Sequence, residues 1–338
     1  MKTKFLLASA VAATLISCSD DDSTMVNLPI PLAQEFKIVT SSNTSGKVTY
    51  SNLLETNPSV KSFTIPSADT DGVFYNSSSD EIILASRSNN VLEVYKGIKN
   101  AISSGGTTLN VDYSSTSDFN NPREVAVSGD KVVVTQDQNV ANLNTNKLVV
   151  YRKTSSGLAL LNSYTVDFKT WGIFLQGTTM YAVADLTGDL LVFENFFTNP
   201  NGAITPTKRV TIEGLVRTHG IAFSSKDNTM VLTDVGAAAS DSDGGIIVIN
   251  NFTSVLNNTV NGGIIPMSSQ KRIYGASSKL GNPVDVSYDY VTKKIFVAER
   301  LNEGGKLLTF SFPMASGDAS PIESRMEPGI SSVYLIRK

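Results

Sequence analysis

Apolar and polar positions alternate along most of this chain in short runs, and the runs come in groups. The stretches "DGVFYNSSSDEIILASRSNNVLEVYKG" (71–97), "PREVAVSGDKVVVTQDQNVANLNTNKLVVYRK" (122–153) and "WGIFLQGTTMYAVADLTGDLLVFEN" (171–195) share one layout. So do "HGIAFSSKDNTMVLTDVGAAASDSDGGIIVINN" (219–251) and "PVDVSYDYVTKKIFVAERLNEGGKLLTFSF" (283–312). Each opens on a short apolar strand, turns at Gly, Asn, Asp or Ser, and enters a second β-rich run such as "KVVVT". A loop and a third run such as "LVVY" follow. Period-two alternation between such turns is the signal of consecutive hairpins.

The units open at Asp71, Pro122, Trp171, His219 and Pro283, spaced 51, 49, 48 and 64 residues apart, the longest interval holding an insertion in the fifth unit. A further opening at Pro328, in "EPGISSVYLIRK", has room for one strand before Lys338. At the other end, "EFKIVTSSNTSGKVTYSNL" and "SVKSFTI" read as three strands that lack a first. Incomplete units at both ends complement each other, so the C-terminal strand is expected to join the N-terminal strands in one blade. The expected fold is all-β: a six-bladed β-propeller over residues 30–338, its ring closed at that seam and its sheet edges thereby removed.

The first residues add a compartment. "MKTKFLLASAVAATLISC" carries Lys2 and Lys4, an apolar run from Phe5 to Ile16, and small residues before Cys18. That run is too short to span a bilayer and has the layout of a secretory signal. "LISC" resembles the lipobox of bacterial lipoproteins, which implies a signal peptide over 1–17 and acylation of Cys18. Cys18 is the only cysteine, so no disulfide forms within the chain. Residues 18–29 begin "CSDDD", an acidic linker similar to the surface-export signal of some outer-membrane lipoproteins. The expectation is an outer-membrane, lipid-anchored protein facing the cell surface, the alternative being one facing the periplasm.

Composition excludes several chemistries. With 28 basic and 31 acidic residues and no basic stripe, the chain has no footprint for nucleic acid. One histidine and one cysteine are too few for a histidine-rich zinc site. No "GxSxG" elbow supports a serine triad.

The repeats "HGIAFSSKDNTMVLTD" and "NPVDVSYDYVTKKIFVAE" resemble six-bladed propellers of the NHL and gluconolactonase-like superfamily. "VFENFFTNPNGAITPTKRVTIEGL" and "INNFTSVLNNTVNGGIIPMSSQKRIYGASSKLGNP" are similar to bacterial surface propellers of the same architecture. The resemblance spans nearly all of 30–338 and implies a fold more than an activity. In the gluconolactonase-like enzymes a calcium ion in the funnel polarises a lactone. That implies a search here for acids at strand ends, although the family's Glu and Asn ligands do not fall in recognisable order.

Candidate residues follow from the repeat. His219 and Trp171 share the opening slot of adjacent blades, Arg123 follows the slot in the blade before, and Asp285 stands on the sixth inner strand. Arg123, Trp171, His219 and Asp285 are the expected lining of a ligand-binding funnel: an aromatic platform for a ring, an anion-binding guanidinium and two polar groups. Ser86, Gln136, Asp185, Asp234 and Glu299 end the second strands, with Glu124 on an inner strand. Asp185, Asp234, Asp285 and Glu299 are the candidate Ca²⁺ ligands, being hard oxygen donors. They are equally the acids that turns use to cap backbone amides. Asp241 and Asp243 precede Gly244 and Gly245, but without the later acid of a calcium loop the segment reads as an insertion. Three functions remain open: a non-catalytic propeller binding a protein, glycan or small molecule, a calcium-dependent lactonase-like hydrolase, and a structural subunit of an outer-membrane uptake complex.

Overall fold

A computed structural model describes residues 34–338; the expected signal peptide (1–17), Cys18 and the acidic segment 18–29 lie outside the described residues. No helix among the described residues is long and apolar enough to cross a membrane.

Six sheets, antiparallel except for a short parallel strand at the outer edge of two of them, form the ring. Blade 1 consists of Phe36–Ser42, Lys47–Asn52, Val60–Thr64 and, innermost, the C-terminal strand Ile330–Arg337. Blade 2 runs outward through Thr70–Asn76, Glu81–Ser86, Val91–Lys96 and Val111–Ser114. The inner strands of blades 3 to 6 are Pro122–Ser128, Thr170–Gln176, Thr218–Ser224 and Pro283–Asp289. Each inner strand packs against those of the two neighbouring blades, and the last, Ile330–Arg337, touches both Pro283–Asp289 and Thr70–Asn76. The sheet edges that a stack of hairpins would expose are thereby internalised.

The core is divided into six clusters, each shared by two adjacent blades. Val39, Phe63, Tyr75, Leu84 and Tyr95 fill the space between blades 1 and 2. Phe36, Ile38, Val284, Phe296, Ile330 and Val333 fill that between blades 6 and 1. Strand alternation explains the arrangement: in a propeller both faces of every blade are covered, so the second and third strands are apolar on both sides. The run Glu81–Ser86 is buried at every position.

The seam follows the expected pairing. Phe36 opposes Arg337, Val39 opposes Tyr334 and Ser41 opposes Ser332 in antiparallel register. Arg337 donates to both oxygens of Asp289 in blade 6, at 2.5 and 2.7 Å. The fifth-unit insertion builds a short helix, Phe252–Asn258, and a strand, Ile264–Ile265, that pairs in parallel with the outer strand Lys208–Ile212 of blade 4. It ties two blades together at the rim rather than covering the axis.

The seam predicts cooperative dependence on the last nine residues. A chain ending at Gly329 should lose its sharp thermal transition in far-ultraviolet circular dichroism, because blade 1 loses its inner strand and two core clusters open. A truncated chain melting at the temperature of the intact one would contradict closure by this strand.

Candidate functional site

The register at the start of the inner strands decides which residues share a layer. Thr70, Pro122, Thr170, Thr218 and Pro283 all pair with the last residue of the following strand, and a bulge follows in every case. Pro122 and Pro283 therefore align with the threonines before Asp71, Trp171 and His219, one residue earlier than the sequence spacing suggested. The true slot of His219 holds Asp71, Arg123, Trp171, His219, Val284 and, in the C-terminal strand, Ser331. Arg123 is in the slot, not after it.

Three of these side chains form a stack. The guanidinium carbon of Arg123 lies 4.1 Å from the Trp171 ring centre, and Trp171 lies flat on His219 with centroids 3.6 Å apart and planes 6° apart. A ladder of alternating charge fixes the stack. Arg123 pairs with Asp71 at 3.3 Å and Asp137 at 3.0 Å, while Asp185 takes Lys169 at 2.8 Å, Arg217 at 2.6 Å and His219 Nε2 at 3.0 Å. Burial opposes ionisation of Asp185, but hydrogen bonds from His219, Arg217 and Lys169 outweigh it and hold the carboxyl well below its usual range. Burial pushes His219 down to about 4 against the pull of Asp185, so the imidazole is neutral at pH 7. Its Nδ1 is buried without a partner. Asp71, His219, Val284 and Ser331 are all buried. The slot expected to line a ligand-binding funnel is packed with side chains paired largely with one another.

The cavity lies one layer deeper. The residues after the slot are Gly72, Glu124, Gly172, Gly220, Asp285 and Ser332. A Cβ at Gly172 would overlap the His219 carbonyl oxygen, and one at Gly72 would collide with the backbone of Glu124 and Val125. These glycines let the inner strands close up. Blades 3 and 6, opposite one another in the ring, instead carry Glu124 and Asp285. Both line an axial channel of about 320 Å³, whose walls include Val125, Ile173, Phe174, Phe223, Val286 and Tyr334. That volume is at the low end of small-molecule sites, about 300–1,000 Å³. At the end away from the acids, Phe74, Val127, Leu175 and Leu335 are half-buried. Of the four residues expected to line a funnel, Asp285 lines this channel and Arg123, Trp171 and His219 roof it.

The two acids are bound unequally. Asp285 accepts from Val286 N at 2.7 Å, Ser332 Oγ at 2.7 Å and Val333 N at 2.8 Å. Glu124 Oε1 accepts from Val125 N at 2.8 Å. Burial pushes Asp285 up to about 6, its hydrogen bonds restraining the rise. Burial, followed by the facing charge of Asp285, pushes Glu124 well above the carboxylate range. Like charges in an apolar surround favour a pair that keeps a proton.

The candidate calcium set is not assembled. Asp234 accepts from the amides of Val216, Arg217 and Gly236 and from the Tyr274 hydroxyl. Glu299 accepts from the amides of Gly281, Asn282, Leu301 and Asn302. Asp185 is in the ladder and Asp285 in the channel. Among the described residues no three Asp, Glu, His or Cys side chains converge as a metal requires. Strand-end acids lock the loops that follow them, the structural use anticipated for them. Asp243 likewise serves its own loop, its Oδ2 accepting from Ala237 N at 3.0 Å, and Asp241 accepts through its backbone oxygen from Asn302 Nδ2 at 2.9 Å.

Two measurements test these assignments. Glu299→Ala strands four amides and should destabilise the chain by about 2–4 kcal/mol in urea unfolding, leaving any calcium response unchanged. For the channel, an acid with a raised folded pKa binds its proton more tightly when folded, so its contribution is present at low pH and lost as pH rises through the folded value. Glu124→Gln removes that loss. The stability difference, variant minus wild type, should become more positive between pH 4.5 and 7, by up to about 1.4 kcal/mol per unit. A constant difference would show that folding does not raise the Glu124 carboxyl.

No protein-family model matches this chain, and no curated protein matches it in sequence. Solved structures do match in shape. A putative 6-phosphogluconolactonase from Bacteroides fragilis is 11% identical with a TM-score of 0.59, covering 94% of this chain and 100% of its own. A protein of unknown function from Bacteroides caccae is 8% identical at 0.56, covering 90% and 100%. A chain of a nidogen/laminin complex is 11% identical at 0.58, covering 89% and 97%. At these identities the likeness is one of fold. The chain is a six-bladed β-propeller whose structural neighbours include lactonase-like proteins and a member of a protein complex.

Proposed function

We propose that this chain is a surface-anchored binding propeller, tethered through acylated Cys18 and taking a small molecule into its axial channel. The observation that carries the reading is the channel: a formed apolar cavity with a few convergent polar groups at one end, which is the common form of a ligand site. The polar groups of the mouth support it. Arg123, Lys169, Asp137, Asp185, Arg217 and His219 are paired with one another, and a neutral, stacked imidazole at the centre of that network has no free partner to activate. A calcium-dependent hydrolase built on Asp185, Asp234, Asp285 and Glu299 lacks geometric support. The anchor reading rests on the lipobox and on the lone cysteine.

Leu175→Trp places an indole at the half-buried end of the channel. It should leave the melting temperature within a few degrees and abolish the thermal stabilisation that small apolar compounds give the wild type. In the same cells, Cys18→Ser should move the protein from the membrane to the soluble fraction. Compounds that stabilise both proteins equally would place binding outside the channel, and an unchanged membrane fraction would remove the lipid anchor.

A further inference from the structure

The channel's own chemistry narrows what it binds, given the reading of it as the ligand site. Its lining contains Glu124 and Asp285 and no Lys, Arg or His. Arg123 is one residue from Glu124, but its guanidinium is engaged by Asp71, Asp137 and the Trp171 face. The acid pair therefore has no cation of the chain's own within the cavity. Asp285 is supplied by three donors, whereas Glu124 Oε2 accepts from no donor among the described residues.

Two kinds of surface meet there. The pair attracts a positive charge bearing several N–H donors, and the walls of Phe74, Ile173, Phe174, Phe223 and Tyr334 attract hydrocarbon. An inorganic divalent ion prefers six or more oxygens and would leave those walls unused. A neutral hydrophobe would leave Glu124 Oε2 without a donor. One molecule satisfying both ends carries an ammonium head and an apolar body. We infer that the axial channel is a site for a small apolar primary amine, its ammonium held between Glu124 and Asp285 and its carbon skeleton lying along the aromatic and aliphatic walls. The glycines at Gly72, Gly172 and Gly220 serve the site by leaving the acid layer free of other side chains. The ammonium takes the place of the proton that burial favours on the Glu124 carboxyl, which is released to solvent.

The test compares shape-matched compounds on the detergent-solubilised full chain by isothermal titration calorimetry: phenethylamine, the neutral 2-phenylethanol, the tail-less ethylammonium, and calcium chloride. Phenethylamine should bind saturably at one site, at least tenfold more tightly than 2-phenylethanol or ethylammonium, a difference of about 1.4 kcal/mol. Glu124→Gln should cost at least tenfold in phenethylamine affinity and leave 2-phenylethanol unaffected. Equal affinity for phenethylamine and 2-phenylethanol overturns the amine assignment while leaving the channel a ligand site. Binding of neither overturns both. Calcium binding that Glu124→Gln abolishes, without amine binding, replaces the amine by a metal. Should the variant not fold, the comparison of amine with alcohol on the wild type decides alone.

Discussion

The seam between the chain's two ends is the constraint on which the rest of the molecule depends. Ile330–Arg337 is the inner strand of its blade, so four of its residues, Ser332, Val333, Tyr334 and Leu335, line the channel. The channel does not exist until the last strand docks. Several interactions converge to hold it. Asp285 reaches across from blade 6 to Ser332 and Val333, Ser287 Oγ donates to Val333 O at 2.8 Å, and Arg337 pairs with Asp289. On the blade 1 side, Glu327 takes Arg325 at 2.7 Å and the hydroxyls of Thr40 and Thr49. Asp285 thus belongs to the seam and to the site at once. Glu124, on the opposite side of the axis, belongs to the site without bearing the seam.

Layering by alternate residues explains why a packed roof and an open cavity sit next to each other. Consecutive residues of an inner strand alternate in direction. At the slot, large side chains on blades 3, 4 and 5 fold over one another, and the charge ladder holds them flat. One residue later, glycine on blades 2, 4 and 5 removes side chains altogether, so the strands approach until backbone meets backbone. What remains at that level is the pair of acids and Ser332. Further along, Val73, Val125, Ile173, Ile221, Val286 and Val333 supply a ring of aliphatic residues around the axis.

Much of this was legible in the sequence. The repeat, the six blades and the shared closing blade follow from spacing and from complementary ends, because each blade must cover its neighbour and none is stable alone. The slot was misread by one residue in two blades and by three in the C-terminal strand, where Ser331 holds it in place of Pro328. The clue was present: Thr-Asp-Gly-Val, Thr-Trp-Gly-Ile and Thr-His-Gly-Ile align with Pro-Arg-Glu-Val and Pro-Val-Asp-Val. Aligning on the residue before the valine or isoleucine puts Arg123 in the slot and sets Glu124 and Asp285 against three glycines. The fate of the strand-end acids was less accessible. Whether Asp234 or Glu299 faces the axis or turns back onto amides depends on how the neighbouring loop, 213–217 or 278–282, folds against it. That is a tertiary fact with no local signature.

The roof and the floor of the channel also oppose each other in their response to pH. His219, neutral in the fold at a value of about 4 against an unfolded value near 6.5, withholds stability as pH falls through that window, because the unfolded chain binds the extra proton. Asp285, at about 6 against an unfolded value near 3.8, does the reverse: the folded chain holds the proton, and stability is lost as pH rises through the same window. One layer above the acids, His219 offsets the slope of one of them, while Glu124, also pushed above the carboxylate range, adds to the loss of stability as pH rises. Only variants that remove one layer at a time expose the opposing slopes, and an ammonium in the channel should affect the floor while leaving the roof unchanged.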